Sequence, residues 1–394
     1  APLQARLAGC VAPTGRPTPW RRAPPARSHD HSAAAGLLRG ALACGPPLLG
    51  AFAVAPARWA ASHRRRGRQG APRGQRATSR RGVTARSSTI GAELRRELQA
   101  YNGLPDLGRD FTVDAGGDPA VAAEIFRRVG FVVIRDALRP RAVEALLEGC
   151  RREARSLLRR DPQGRGNRGR RRYSLGAAQK TGHLLHREEW ATLADLPAVT
   201  PVLRRIFGPD GYVCAGAGGD FVLAGEEQYQ CLHSDLNAPG SHARAEAPVV
   251  TVNVTVTPLT WENGPMRIIP GTHRLPPHSW LPPDELAEDE AWRLFTFCPL
   301  PSGCAIVRDN RTWHGGTPNL SGEPRFLPNC EFAAPWWCRG ATSSLWRNPW
   351  ILAPQCMPER VYEGLSEHGR RVCRRVLTRE RLDFGTRADY GVGL

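Results

Sequence analysis

A chain of 394 residues, 41% of them hydrophobic, is long enough for one large domain with a substantial core or for two small ones. Its formal charge of +18 suggests a nucleic-acid binder until the charge is located: residues 1–92 hold sixteen arginines and a single acid, Asp30, which leaves about +3 for everything after them. The folded part is therefore close to neutral, and nucleic acid is not an expected partner.

Residues 1–88 are rich in Ala, Arg, Ser, Pro and Gly, the composition of a disordered leader with a targeting role. Within it "GALACGPPLLGAFAVAPA" is apolar from 40 to 57 but broken by Gly and Pro pairs, so no stable membrane span is expected. An apolar, small-residue stretch followed by an Arg-rich one resembles the bipartite leaders of plastid proteins. Plastid delivery is expected ahead of mitochondrial, with a cytoplasmic chain carrying a bare Arg-rich tail as the alternative. The chain does not start with Met, which leaves its true N-terminus open.

Order is expected from residue 89 onward. "IGAELRRELQAY" has helical period, and "DPAVAAEIFRRVG" carries an N-cap Asp118, Pro119 at the first helical position and a closing Gly130. "FVVI" reads as a buried strand, and "RPRAVEALLEGCRREARSLLRR" returns to helical period. The run 151–173 holds ten arginines against Glu153 and Asp161. It reads as a solvated helix end and a surface loop, with a phosphate-gripping loop as the competing reading. Lys180 is the only lysine beside 54 arginines, a hint that a point charge is needed there.

After residue 210 short strands follow one another between Gly and Pro turns: "DFVLAG", "VVTVNVTVTPL", "MRIIPG", "CAIVRDN" and "FLPNCEFAAPW". Helices first and strands after them predict helices packed on an all-β core. The expected organisation is a helical part over 89–205, a β core over about 206–340 and a C-terminal extension over 341–394. The eleven cysteines include no C-x-x-C pair, and Cys150, Cys214, Cys231, Cys304 and Cys330 mostly sit in apolar runs, so they read as reduced, buried thiols.

In "VVTVNVTVTPL" the valines share one face and Thr251, Asn253 and Thr255 the other. A solvent-facing polar side is the ordinary reading; in a small barrel such a face lines a ligand cavity instead. In "QCLHSDLNAPG" His233 and Asp235 stand two apart, so on a strand they project side by side. His314 follows about eighty residues later between Trp313 and two glycines, and Arg325 eleven residues after that. Two histidines and a carboxylate on one face leave the opposite coordination positions open, as in non-heme Fe(II) oxygenases, and a following arginine offers a fork for a distal carboxylate.

The set His233-x-Asp235, "NGPMRIIPGTH", His314 and Arg325, in this order and spacing, resembles the phytanoyl-CoA dioxygenase family over roughly residues 115–335. The resemblance implies a mainly β fold with flanking helices, a double-stranded β-helix of jelly-roll or cupin type. It implies that His233, Asp235 and His314 bind Fe(II), that Arg325 binds 2-oxoglutarate, and that Lys180 contributes to cosubstrate binding. Asn253 occupies a position where some relatives carry an aromatic residue beside the cosubstrate, and Tyr229 and Lys180 are further candidates should Arg325 not be the clamp. With O2, such an enzyme releases succinate and CO2 and, because Asp235 is present, hydroxylates its substrate, here a small organic or lipid-like molecule. A zinc hydrolase on the same triad and a cupin-like metal-binding protein without turnover are the rival readings. Substrate identity and oligomeric state are left open.

Overall fold

The structure is a computed structural model that describes residues 111–209, 211–236, 241, 243–274, 296–340 and 355–387. The leader assigned to 1–88, the helix expected in 90–101 and much of the C-terminal extension, 341–354 and 388–394, lie outside the described residues. The chain divides into two units, Ala1–Arg66 and Gly67–Leu394, and every described residue belongs to the second.

The first described strand, β1 (Thr112–Asp114), leads into α1 (Pro119–Val129). The Asp118 carboxylate accepts the Ala120 N–H at 2.8 Å, Pro119 opens the helix, and the Gly130 N–H closes it on the Phe126 carbonyl at 2.7 Å. Strand β2 (Phe131–Arg135) follows, then α2 (Pro140–Arg160), which buries Leu146, Cys150, Ala154 and Leu157 along one stripe. Two of its six arginines meet acids: Arg152 pairs with Glu153 and Glu189, and Arg155 with Glu148. The chain continues through β3 (Arg172–Ser174), α3 (Glu188–Ala191) and α4 (Thr200–Phe207).

The main sheet is then completed by β4 (Val213–Val222), β5 (Val249–Val254), β7 (Ala305–Asp309) and β9 (Arg325–Ala333). Its seven strands run β1-β2-β7-β5-β9-β4-β3, antiparallel except for β1 beside β2. Facing it is a minor sheet whose regular part is only β6 (Met266–Ile268) beside β8 (His314–Gly316). Isolated bridges extend it on both sides, His233 to His314 and Glu226 to Asn319 on one flank, Leu259 to Leu300 and Arg267 to Thr296 on the other. Two sheets facing each other, with helices over the outside of the larger, make the expected jelly roll.

Alternation along β5 separates two environments. Val250, Val252 and Val254 join Val132, Ile134, Val307, Cys330 and Phe332 in the core between the main sheet and the helices. Residues 355–387 seal that core: β10 (Met357–Pro358), α6 (Glu359–Glu363), α7 (Glu367–Cys373) and β11 (Leu377–Thr378) bring in Cys356, Met357, Val372, Cys373 and Val376. Between the sheets, Phe131, Val133 and Ile306 pack with Met266, Ile268, Phe297 and Leu320 at one end, and the other end is hollow. Thr251, Asn253 and Thr255 are buried, so the polar side of β5 faces the interior and not solvent. A short helix, α5 (Pro335–Gly340), follows β9.

Among the described residues no helix is long and apolar enough to cross a membrane. Cys150, Cys214, Cys304 and Cys330 are free and buried as expected, while Cys231 is exposed.

Candidate active site

The three residues of the sequence constellation converge. His233 and His314 exchange both backbone hydrogen bonds, each N–H to the other's carbonyl at 2.9 Å, so they sit directly opposite one another with ring centroids 4.4 Å apart. The segment around His233 is not the regular strand expected from sequence. It makes a single bridge and then bends, with Ser234 Oγ donating to the Asn310 carbonyl at 3.1 Å. That bend still leaves Asp235 facing both rings: its Oδ1 is 3.7 Å from His233 Nε2 and its Oδ2 is 3.4 Å from His314 Nε2. One ligand atom from each residue lies within 4.8 Å of the others.

Each imidazole is held by its own strand. His233 Nδ1 is 3.1 Å from the Cys231 carbonyl and His314 Nδ1 is 3.0 Å from the Thr312 carbonyl. A carbonyl only accepts, so both Nδ1 atoms carry the proton and both Nε2 lone pairs point into the cavity. Burial, with Arg308 adding to it against Asp235, pushes His314 down to about 4, so the ring is neutral near pH 7. Burial alone would raise the Asp235 carboxyl, but the Arg308 guanidinium and the two histidines outweigh it and hold it well below the usual carboxylate range. Two imidazole Nε2 atoms and a carboxylate are a fitting donor set for Fe(II).

The cavity beside them measures about 420 Å³ and is unusually charged for its size. Arg325 is buried at the start of β9, and its Nε donates to the Gly264 carbonyl at 2.8 Å. Register places Arg325 opposite Val222 and Val222 opposite Arg172, so two buried guanidiniums flank one end of the cavity. Burial, with Arg172 close by, lowers Arg325 to about 10 against the pull of Asp220, and it stays protonated. Arg172 donates to the carbonyls of Gln228 and Thr317 at 2.7 and 2.9 Å. It occupies space that Gly316 leaves open, since any Cβ at 316 would collide with its Nη1.

Asn253 also lines the cavity, where its Oδ1 accepts from Arg308 Nε at 3.3 Å. Arg308 in turn donates to Asp235 Oδ2 at 2.5 Å. Burial, with the Asp235 charge nearby, pushes the Glu331 carboxyl up to about 7.

Two expected cosubstrate residues do not reach this cavity. Lys180 is exposed, its ammonium paired with Asp383 of the C-terminal segment and its backbone N–H bonded to the Gly385 carbonyl at 2.9 Å. Tyr229 is half-buried outside the lining, with the Arg267 guanidinium 5.1 Å over its ring. Conversely, the arginine-rich run is not wholly a surface feature, because Arg168 and Arg172 line the cavity. Arg172, Arg308, Asn329 and Glu331 had no signal in linear spacing; only strand register brings them together.

Comparison with solved structures finds AviO1 from Streptomyces viridochromogenes Tue57, 26% identical over 55% of this chain and 96% of that one, TM-score 0.38. It also finds the non-heme monooxygenase ThoJ, 25% identical over 54% and 77%, TM-score 0.41. A third is EctD from S. alaskensis with 2-oxoglutarate and 5-hydroxyectoine, 20% identical over 55% and 77%, TM-score 0.40. The sequence model of the phytanoyl-CoA dioxygenase family matches residues 126–327, more than half of the chain and the whole stretch that carries the triad and Arg325. The chain belongs to the phytanoyl-CoA dioxygenase family and is an Fe(II)- and 2-oxoglutarate-dependent dioxygenase.

Proposed function

We propose that His233, Asp235 and His314 hold Fe(II), that Arg325 with Arg172 beside it holds the distal carboxylate of 2-oxoglutarate, and that the enzyme hydroxylates a small organic substrate. The observation that carries this reading is the pair of buried guanidiniums at one end of a cavity whose other end presents two histidine Nε2 atoms and a carboxylate. The Nη atoms of Arg325 have no protein partner among the described residues, and two like charges held together out of water call for an anion between them. When bound, iron supplies the activation of O2 that couples decarboxylation of 2-oxoglutarate, to succinate and CO2, with hydroxylation of the substrate. The protein's part is placement. The Cys231 and Thr312 carbonyls orient the imidazoles, and Arg308 keeps Asp235 ionised and aimed. A zinc hydrolase on the same triad would leave the Arg172–Arg325 pair without a task.

The test is Fe(II)-dependent succinate formation from 2-oxoglutarate across a library of small metabolites. Stimulation by some members, absent in His314→Ala, supports the reading. Metal-independent turnover, or none with any metabolite, contradicts it. For residues 1–88 we propose organellar targeting, plastid ahead of mitochondrion; diffuse cytoplasmic signal from a fluorescent fusion of that segment would rule it out.

A further inference from the structure

The polar lining is more than iron and 2-oxoglutarate require. Arg308 is matched to Asp235, and Arg172 and Arg325 are matched to the cosubstrate dianion. Of the remaining charged side chains, Arg168 is exposed and lies electrostatically close to Asp220, which also faces Arg325. That leaves Glu331 without a directly paired counterion among the described residues. Its side chain makes no hydrogen bond and no ion pair there; burial and the charges of Asp235 and Asp220 push its carboxyl up, while those of Arg308 and Arg168 pull it down from farther off than contact. Its register neighbours cannot satisfy it. Thr251 spends its hydroxyl on Asn310 Oδ1 at 2.7 Å, and Gly216 has no side chain, because a Cβ there would run into the His183 ring.

A second side chain repeats the pattern independently. Asn329 stands two residues before Glu331 on β9, on the same face of the sheet. It is only 9% exposed, yet its amide makes no hydrogen bond among the described residues. An amide shielded this far from water loses free energy unless something in the cavity meets it. Across from Asn329 are Asn253 on β5 and Gly218 on β4, and all three line the cavity. Both residues lie on the main sheet facing the triad, on the metal side of the arginine pair.

We propose that Glu331 and Asn329 anchor the substrate, and that the substrate is a small molecule bearing a positively charged nitrogen. The anchor supplies one carboxyl group, which a bound cation would hold ionised, and one amide carbonyl as acceptors, the partners that an ammonium or amidinium group needs. A carboxylate or phosphate at that position would meet Glu331 and Asp235 as like charges. An acyl thioester would leave both acceptors unmet. This inference rests on the Fe(II)/2-oxoglutarate reading of the same cavity.

The experiment is calorimetric binding of three matched probes, hexylammonium, hexan-1-ol and hexanoate, to the full chain loaded with inert Ni(II) and 2-oxoglutarate. Hexylammonium is expected to bind about tenfold tighter than hexan-1-ol, the scale of one charge-assisted hydrogen bond, and hexanoate weakest. Glu331→Gln should erase the ammonium advantage and leave the alcohol unchanged. If that variant does not melt cooperatively, Asn329→Leu replaces it, with a smaller loss expected. Equal affinities for ammonium and alcohol, no measurable ammonium binding, tighter hexanoate, or a preference untouched by the variants overturns the proposal. The series is repeated on the metal-free chain. Ammonium selectivity there, with no 2-oxoglutarate binding to the Ni(II) form, would sink the cofactor reading and spare this one.

Discussion

The main sheet and the minor sheet that faces it carry the two halves of the site, yet they are held together in different ways. In the main sheet β5 lies between two full-length partners, β7 and β9, and one of its faces packs on the helices. Arg308, Asn253, Asn329 and Glu331 ride on that sheet. The segment bearing His233 and Asp235 is tied to β8 by one isolated bridge, and the apolar cluster beside it is small: Leu232, Ile269 and Trp313. The contrast teaches where order comes from. Substrate- and cosubstrate-facing groups are positioned by packing, whereas the metal-ligand segments rest on a few hydrogen bonds and stand to gain most from a bound cation.

The comparison is broken most forcefully by cutting into the packed sheet. Phe332 is fully buried and meets Tyr212 edge-on at 5.3 Å, so Phe332→Ala should cost about 3–5 kcal/mol in denaturant unfolding. Leu232→Ala, in the small cluster, should cost less, about 2 kcal/mol, and its loss should be partly offset by Fe(II). If Leu232→Ala proves as costly as Phe332→Ala, the two sheets are equally packed and the contrast fails.

Next in size is the cosubstrate end. Arg325→Met should weaken 2-oxoglutarate binding by about 2–5 kcal/mol, read as a rise in its KM, with metal affinity nearly unchanged. Lys180→Met serves as the control, since an exposed ammonium paired with Asp383 is worth little and should leave 2-oxoglutarate kinetics as they are. Reversed results for these two variants would move the clamp from Arg325 to Lys180.

A smaller effect sharpens the description of the helix-covered side. His186 is 5% exposed, its ring stacks on Phe384 with centroids 4.4 Å apart, and neither ring nitrogen has a hydrogen-bond partner among the described residues. Burial, aided by Arg187, Arg152 and Arg360, lowers it to about 4. Because the folded value lies below that of the unfolded chain, the unfolded chain takes up the proton first as pH falls. Stability from this residue is therefore complete above about pH 6.5 and lost on the way down to about 4, on the order of 3 kcal/mol. His186→Phe should flatten the acid side of the melting-temperature profile; an unchanged slope would mean that the ring is protonated in the fold.

What could be read from sequence divides along the same line. The caps at Asp118 and Gly130, the alternation of β5 and the stripe of α2 are local signals, and the structure follows them. His233, Asp235 and His314 were legible because their motif is nearly linear, although the strand imagined beneath His233 is a single bridge and a bend. Arg172, Arg308, Asn329 and Glu331 were not legible, because they meet through the register of strands far apart in sequence. Lys180 stood out for its scarcity, a property of composition that says nothing about where a side chain lies.

The most direct measurement is a paired one on wild type and Asp235→Ala: anaerobic thermal-shift titration with Fe(II), then succinate formation when O2 and 2-oxoglutarate are added. Asp235 is the one anionic member of the triad, so the variant should fold, lose most of the Fe(II)-dependent rise in Tm and form no succinate above background. Equal stabilisation by Fe(II) and equal turnover in the two proteins would contradict the assignment of His233, Asp235 and His314 as the metal centre.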